Sequence, residues 1–296
     1  MRRLHRFAGM EAELHQALAA FNHRRFEPAL PDRDPDWRAA LSEDQRMLAR
    51  ELELVENERV RWRDRAAAVP REPEPFVRWF EGLAVDGPGQ GDPLFPWLAE
   101  RATLDQLRWF LRQEVAGEAG FEDLVALTQI KMPDRAKLEL ARNYWDELGR
   151  GKAGGMHGPM LGRLSQALRL DDIDVPIVAE SLALGNLLVA MAANRRYAYH
   201  AIGALGVIEL TAPGRATLVN QGLRRLGVRA GTRQYFALHA TLDVRHSLAW
   251  NEEVVAPLVA ERPDVAPAIA EGALMRLEAG RRCFERYRRD LLREPA

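Results

Sequence analysis

The chain has 296 residues, 47% hydrophobic and 29% charged, the ordinary balance of a globular protein long enough to bury a large core. With 42 basic against 43 acidic residues the net charge is −1, so no overall field draws nucleic acid or an anionic membrane. The single cysteine, Cys283, excludes an intramolecular disulfide, a thiolate zinc site and a cysteine-held iron–sulfur cluster within one chain.

The first seven residues are basic but lack the apolar run of a secretory signal. No stretch approaches the ~18 uncharged apolar residues that span a bilayer, and the expectation is a cytoplasmic protein. Almost every periodic segment has helical spacing, which predicts an all-α fold. An amphipathic helix is expected over 10–25, ended by Pro28, Pro31 and Pro35, and a second over 42–68 whose many Glu and Arg read as a solvated face. After a short apolar segment over 76–83, the Gly- and Pro-rich run 86–93 reads as a loop. It divides an N-terminal helical extension, 1–90, from a catalytic domain, 91–296.

That domain opens with a helix over 94–117 carrying the stripe Leu104, Leu107, Phe110 and Leu111. Glu114 continues the stripe. An inward carboxylate needs a cation, a hydrogen-bond network or a raised pKa; the alternative is rotation outward beside Glu118. The next helix, 133–148, carries Asn143 and Glu147 on one face. Four glycines in the seven residues 149–155 cannot sustain regular helix, and His157 lies just beyond. The phosphate-binding fingerprint is missing there, so the loop reads as a bend that lets Glu147 and His157 meet.

From Pro176 the chain is at its most apolar, with small residues that permit close helix approach or leave room for a ligand. Glu209 again sits on an apolar stripe, four residues from Leu205 and seven from Ile202. His200 lies on another face and reads as a packed or hydrogen-bonded core histidine. Arg195, Arg196, Tyr197 and Tyr199 read either as a grip for a substrate carboxylate or as surface arginines and packed aromatics. Pro213 is expected to break this helix, with another over 215–226.

Within the Gly- and Pro-free run 233–255, His239, Asp243 and His246 fall within about 60° of one another on a helix face. Two imidazoles and a carboxylate suit iron, manganese or zinc. The alternative is a partly buried helix whose histidines cap carbonyls and whose Asp243 pairs with Arg245 or Arg233. A last arginine-rich helix over 265–292 reads as an outer face, and its Cys283 as a packing residue or a thiol made acidic by Arg281, Arg282 and Arg286. Glu114, Glu147, Glu209 and Asp243, with His157, His239 and His246, match the charge of two divalent cations. No histidine has Glu three residues before it, which excludes the ferritin-like pattern.

The succession Asn143-x-x-Asp146-Glu147-x-Gly149-x-Gly151, His157, Gly-Val-Ile-Glu209 and His239-x3-Asp243-x2-His246 resembles the haem-oxygenase-like di-iron oxidases, or iron-containing redox enzymes, over residues 94–255. The resemblance implies a bundle of about seven core helices holding two non-haem Fe2+ ions and using dioxygen as co-substrate. By motif position it assigns Glu114, Glu147, His157, Glu209, His239, Asp243 and His246 as metal ligands, with Glu118 competing for the first place. Glu147 and Asp243 are the expected catalytic carboxylates. It further implies an external electron donor, a homodimer and oxidation of an amino-acid-like or fatty-acid substrate by N-oxygenation, desaturation or C–C cleavage. The alternatives are a cofactor-independent enzyme resembling the thiaminase-like and quinone-cofactor synthase branches, or a non-catalytic helical interaction protein.

Overall fold

The computed structural model describes residues 2–30 and 36–292, with side chains from residue 9 onward, and among them the chain forms helices and turns but no strand. The fold is an all-α bundle, in keeping with the haem-oxygenase-like expectation. Pro31 and Pro35 lie outside the described residues.

The first helix, α1 (Arg2–Phe26), and the second, α2 (Trp37–Ala67), pack Leu18, Phe21 and Met47 into a small core of their own. The solvated face expected for α2 is corrected in part. Glu51 and Glu58 are buried, each held by an arginine from a distant segment: Arg25 grips Glu51 at 2.6 Å, and Arg282 grips Glu58 at 2.7 Å. A buried carboxylate requires such a partner, and α2 supplies acids to arginines that composition alone places in water. Helix α3 (Pro73–Asp86) starts on proline, which suits a first turn, and buries Phe76, Phe80 and Leu83 in the main core. The segments before residue 90 therefore share apolar packing with those after it.

The single helix expected over 94–117 is two, α4 (Leu94–Glu100) and α5 (Leu104–Gly117). Thr103 and Gln106 make a reciprocal capping box at the start of α5, a stop-and-start signal present in the sequence. Then follow α6 (Phe121–Thr128), α7 (Asp134–Glu147), two short 3-10 turns over 149–155, α8 (His157–Ala167) and α9 (Ala179–Ala193).

Helix α10 (Ala198–Arg225) is the central rod, buried along most of its length from Ala198 to Leu223. By length and composition the segment Arg195–Arg225 is apolar enough to cross a membrane, but 56% of its most apolar window is buried inside the fold, as befits a core helix. Pro213 does not end it. Proline removes the N–H that would have bonded the carbonyl of Glu209, four residues back, and crowds that carbonyl, yet the helix continues through it under the packing of its buried faces. Helix α11 (Gln234–Ala249) continues into a π-helical turn, Trp250–Val255, and then α12 (Ala256–Glu261). The wide turn was not foreseen; it places Trp250 against α10, where its indole N–H donates to the carbonyl of Ile202 at 3.2 Å.

The last helix, α13 (Ala266–Leu291), is amphipathic as expected; its apolar face buries Ile269, Ala273, Leu274 and Cys283 against α10 and α9. Burial pushes the Cys283 thiol well above its ordinary range, the state of a packing residue. His200 accordingly meets Glu271 at 2.9 Å within a buried network completed by Arg59. Helices α10 and α13 approach backbone to backbone: a Cβ on Gly203 would overlap the carbonyl of Ile269, and one on Gly272 that of His200. Gly272→Ala should therefore destabilise the fold by at least ~1–3 kcal/mol in urea titrations. Gly214→Ala, with open space around it in the same helix α10, should stabilise by roughly 0.5–1 kcal/mol.

Candidate metal centre

Helix α7 delivers three polar side chains on one face, because Asn143, Asp146 and Glu147 stand three and four residues apart. Glu147 is the last residue of α7, after which Gly149, Arg150 and Gly151 take positive φ angles of 62°, 53° and 77° and reverse the chain. A Cβ on Gly149 would collide with the backbone of Gly155, so the loop closes through bare backbone. The turn brings His157, the first residue of α8, back to Glu147: Nδ1 and Oε2 are 2.5 Å apart and both residues are buried. The bend inferred from the glycines thus has the consequence expected of it.

From α10 comes Glu209, whose Oε1 accepts from Asn143 Nδ2 at 2.6 Å and lies 3.4 Å from His246 Nδ1. From α11 come His239, Asp243 and His246. Asp243 Oδ1 is 3.2 Å from His239 Nδ1, and Asp146 Oδ2 is 3.2 Å from His246 Nε2. Each carboxylate fixes the outer nitrogen of its imidazole and turns the other nitrogen inward. The His157 and His239 rings meet edge to face, with centroids 4.7 Å apart.

Two compact donor sets result, Glu147–His157–His239 and Glu147–Glu209–His246, in each of which the ligand atoms lie within 4.8 Å of one another. Glu147 belongs to both. His157 Nδ1, His239 Nε2 and His246 Nδ1 are buried without a hydrogen-bond partner among the described residues. Although His157 Nδ1 and Glu147 Oε2 are close, their directions do not suit an N–H···O bond; the two atoms converge on a common point instead. Orphaned imidazole nitrogens beside carboxylates are the donor set of a divalent first-row cation, and the residues fit two such ions sharing Glu147.

The electrostatics agree. Burial, reinforced by Glu209, pushes Glu147 up to about 9. Burial, with Glu209 and Glu147 beside it, likewise raises Asp243 far above the carboxylate range. Burial pulls His239 down to about 3, with the His157 and His246 rings adding to it. His157 is lowered chiefly by burial. For His246 burial acts downward, but the nearby carboxylates of Glu209 and Asp146 prevail and hold it at about 9. Acids that cannot ionise together in a low dielectric become ionisable when cations join them.

Glu114 joins neither set. It lies beside Arg215, Tyr287 and Arg276, while the acids of this region that act on Glu147 are Glu122 on α6 and Glu118, just past the end of α5. Glu118 accepts the backbone N–H groups of Gly120 and Phe121 at 2.9 and 3.2 Å, and Glu122 borders Gly158, beside His157. The apolar stripe on α5 correctly points Glu114 inward, but inward at that height of the helix means toward the arginines. Asp243 is placed against His239 and outside both compact sets. Sequence reasoning passed over Asp146 and Asn143 as orienting residues and Tyr235, whose ring centroid is 4.2 Å from that of His239. The three-four spacing on α7 is the signal that identifies the first two.

An all-α bundle here gathers histidines and carboxylates into donor sets of the kind that hold a metal ion. A family described as iron-containing redox enzyme matches residues 108–281, more than half of the chain, and the chain belongs to that family. No curated protein matches it.

Two tests follow from this geometry. Asn143→Leu and Asp146→Asn should each weaken metal binding roughly 10–100-fold in titrations, because they release the residues they orient. The second concerns pH. Glu147 keeps its proton above its ordinary 4.5, so its stabilising share is full below that value and is lost as pH rises toward about 9. His246 contributes in the same sense between its ordinary 6.5 and about 9, whereas the opposing effect of His239 acts only between 6.5 and about 3. Metal-free protein should therefore lose melting temperature as pH rises from 6.5 to 9, and metal should add progressively more over that range because its ligands bind deprotonated.

Proposed function

We propose that the chain is a non-haem di-iron oxidase that activates dioxygen and oxidises a small molecule. The observation that carries this reading is the pair of donor sets that share Glu147 and leave three buried imidazole nitrogens aimed at them. Glu147, His157 and His239 would hold one iron, and Glu147, Glu209 and His246 the other, with Asp243 and Glu122 at hand as further carboxylates. Bound iron would supply the electrons that activate dioxygen.

The protein's own part is positional and electrostatic. Asp243 and Asp146 hold His239 and His246 in the orientation that leaves a lone pair inward. Asn143 steadies Glu209 while leaving its second oxygen free. The apolar walls formed by Phe121, Leu161, Ile208 and Phe236 limit water near the acids and give an organic substrate a place beside them. Turnover on this reading requires an external electron donor. The substrate is an amino-acid-like or fatty-acid molecule undergoing N-oxygenation, desaturation or C–C cleavage. Both alternatives, cofactor-independent catalysis and a purely structural role, leave Glu147 and Asp243 holding protons against burial and three imidazole nitrogens without a partner.

The test is anaerobic ferrous titration of the apoprotein followed by admission of oxygen. The expected result is close to two irons per chain and oxygen uptake; His239→Ala should lose at least one iron and the uptake. A wild-type chain that binds no iron, or one iron without consuming oxygen, would sink the proposal.

A further inference from the structure

The cavity that reaches Glu147, Glu209, His239 and Asp243 has a volume of about 160 Å³ and extends to a second group of charged residues, Glu114, Arg215 and Arg276. The rest of its lining is largely apolar, with Phe110, Leu111, Leu184, Leu188, Ala212 and Ala216 prominent. Arg215 follows Glu209 by six residues on α10, a rise of roughly 9 Å along the helix axis. Neither arginine is among the charges that shift Asp243 or His239. The cavity therefore joins an acidic, donor-rich group and a basic group about two helical turns apart on α10, with apolar walls around them.

The basic region is incompletely neutralised. Arg215 has no ion pair or hydrogen bond to a described residue; its guanidinium lies over the rings of Phe95 and Phe284, 5.9 and 5.6 Å from their centroids. Arg276 likewise has no ion pair, and its Nε is buried without a partner. Both are densely surrounded by protein yet keep part of their surface, because that surface faces the cavity. Burial brings Arg215 down to about 10, with Arg276 adding to it and Glu114 opposing. Burial favours the proton on Glu114 while Arg215, Tyr287 and Arg276 oppose it, so this one acid offsets at most one of the two guanidinium charges and leaves positive charge for an anion. A guanidinium fork matches a carboxylate in shape as well as charge.

We propose that Arg215 and Arg276 are the recognition site for the carboxylate of an apolar-bodied organic acid, whose other end lies against the Glu147–Glu209–His239 region. Oxidation of such an acid rests on the di-iron reading above, but its binding does not. Glu114, drawn toward ionisation by Arg215, Tyr287 and Arg276, opposes the positive charge of the arginines and competes with the ligand carboxylate for it. Arg195 and Arg196, the arginines that the sequence offered for this task, are engaged elsewhere: Arg195 caps the carbonyls of Leu127, Thr128 and Ile130, and Arg196 pairs with Glu56 at 3.3 Å.

The experiment is calorimetric titration of metal-free protein with straight-chain acids from hexanoate to dodecanoate, and with decanol and decyl phosphate as controls. At least one acid should bind tenfold or more tightly than decanol and more tightly than decyl phosphate. Arg215→Met and Arg276→Met should each weaken the acid tenfold or more, and Glu114→Gln should tighten it, a gain that misfolding cannot imitate. Iron titration of the same proteins separates the two readings: Arg215→Met and Glu114→Gln should keep the wild-type iron content, and His239→Ala should lose iron yet still bind the acid. The proposal is overturned if no acid binds, if decanol or decyl phosphate binds as well, if the Met variants keep their affinity, or if Glu114→Gln weakens the acid or loses iron. Failure of the wild type to take up iron would overturn the oxidase and leave this site standing.

Discussion

Glu147, Glu209 and Asp243 occupy one poorly solvated space, and most of what surrounds them answers to that fact. Burial and the charge of Glu209 raise the proton affinity of Glu147 and Asp243, so the metal-free interior keeps protons that water would remove. Without cations such a group is a standing cost in stability; with them it becomes a site. The neighbouring residues are disposed accordingly. Asn143 and Asp146 come from the same turn of α7, His157 from the far side of a glycine loop, and His239 and His246 from one face of α11. No single helix supplies the site, so the bundle must be assembled before the donor atoms can converge.

Much of this could be read in the sequence, for a physical reason. His239, Asp243 and His246 share a face because helix geometry fixes the angles between residues four and three apart, whatever the tertiary structure. Glu209 stood out as an acid on an apolar stripe, and the glycines after Glu147 announced a reversal. What could not be read depends on contacts between segments. Local pattern says that Glu114 points inward but not which inward neighbours it meets, and those are Arg215 and Arg276. Pro213 is a helix breaker in an isolated peptide; in α10 packing on several sides outweighs one lost hydrogen bond. The charges of α2 and the arginines of α13 read as solvated because their partners lie far away in the chain, Glu58 with Arg282 and Arg59 with Glu271. The Thr103–Gln106 capping box was a legible local signal that the hydrophobic stripe obscured.

The interior thus contains buried charge of two kinds. In the network of Arg59, Glu271 and His200, and in that of Arg25, Glu51 and Asn194, acids meet their partners directly and the groups hold helices together. Around the cavity, acids and arginines are kept apart, and polar atoms are left over on both sides. Direct pairing would have been the more stable arrangement. Its avoidance along one internal surface distinguishes the residues that can receive something from those that only join helices.

Helix α10 is keyed into its surroundings by three glycines: Gly203 admits the backbone of α13, Gly206 the indole of Trp250 and Gly222 the carbonyl of Leu98. A rod locked in three directions can neither slide nor rotate about its axis without breaking close contacts. Breathing of the cavity is left to walls outside that lock, where Phe121 and Leu161 are set on α6 and α8. Glu209 and Arg215 thereby become the fixed jaw of a vice, and α6 and α8 the jaw that can travel.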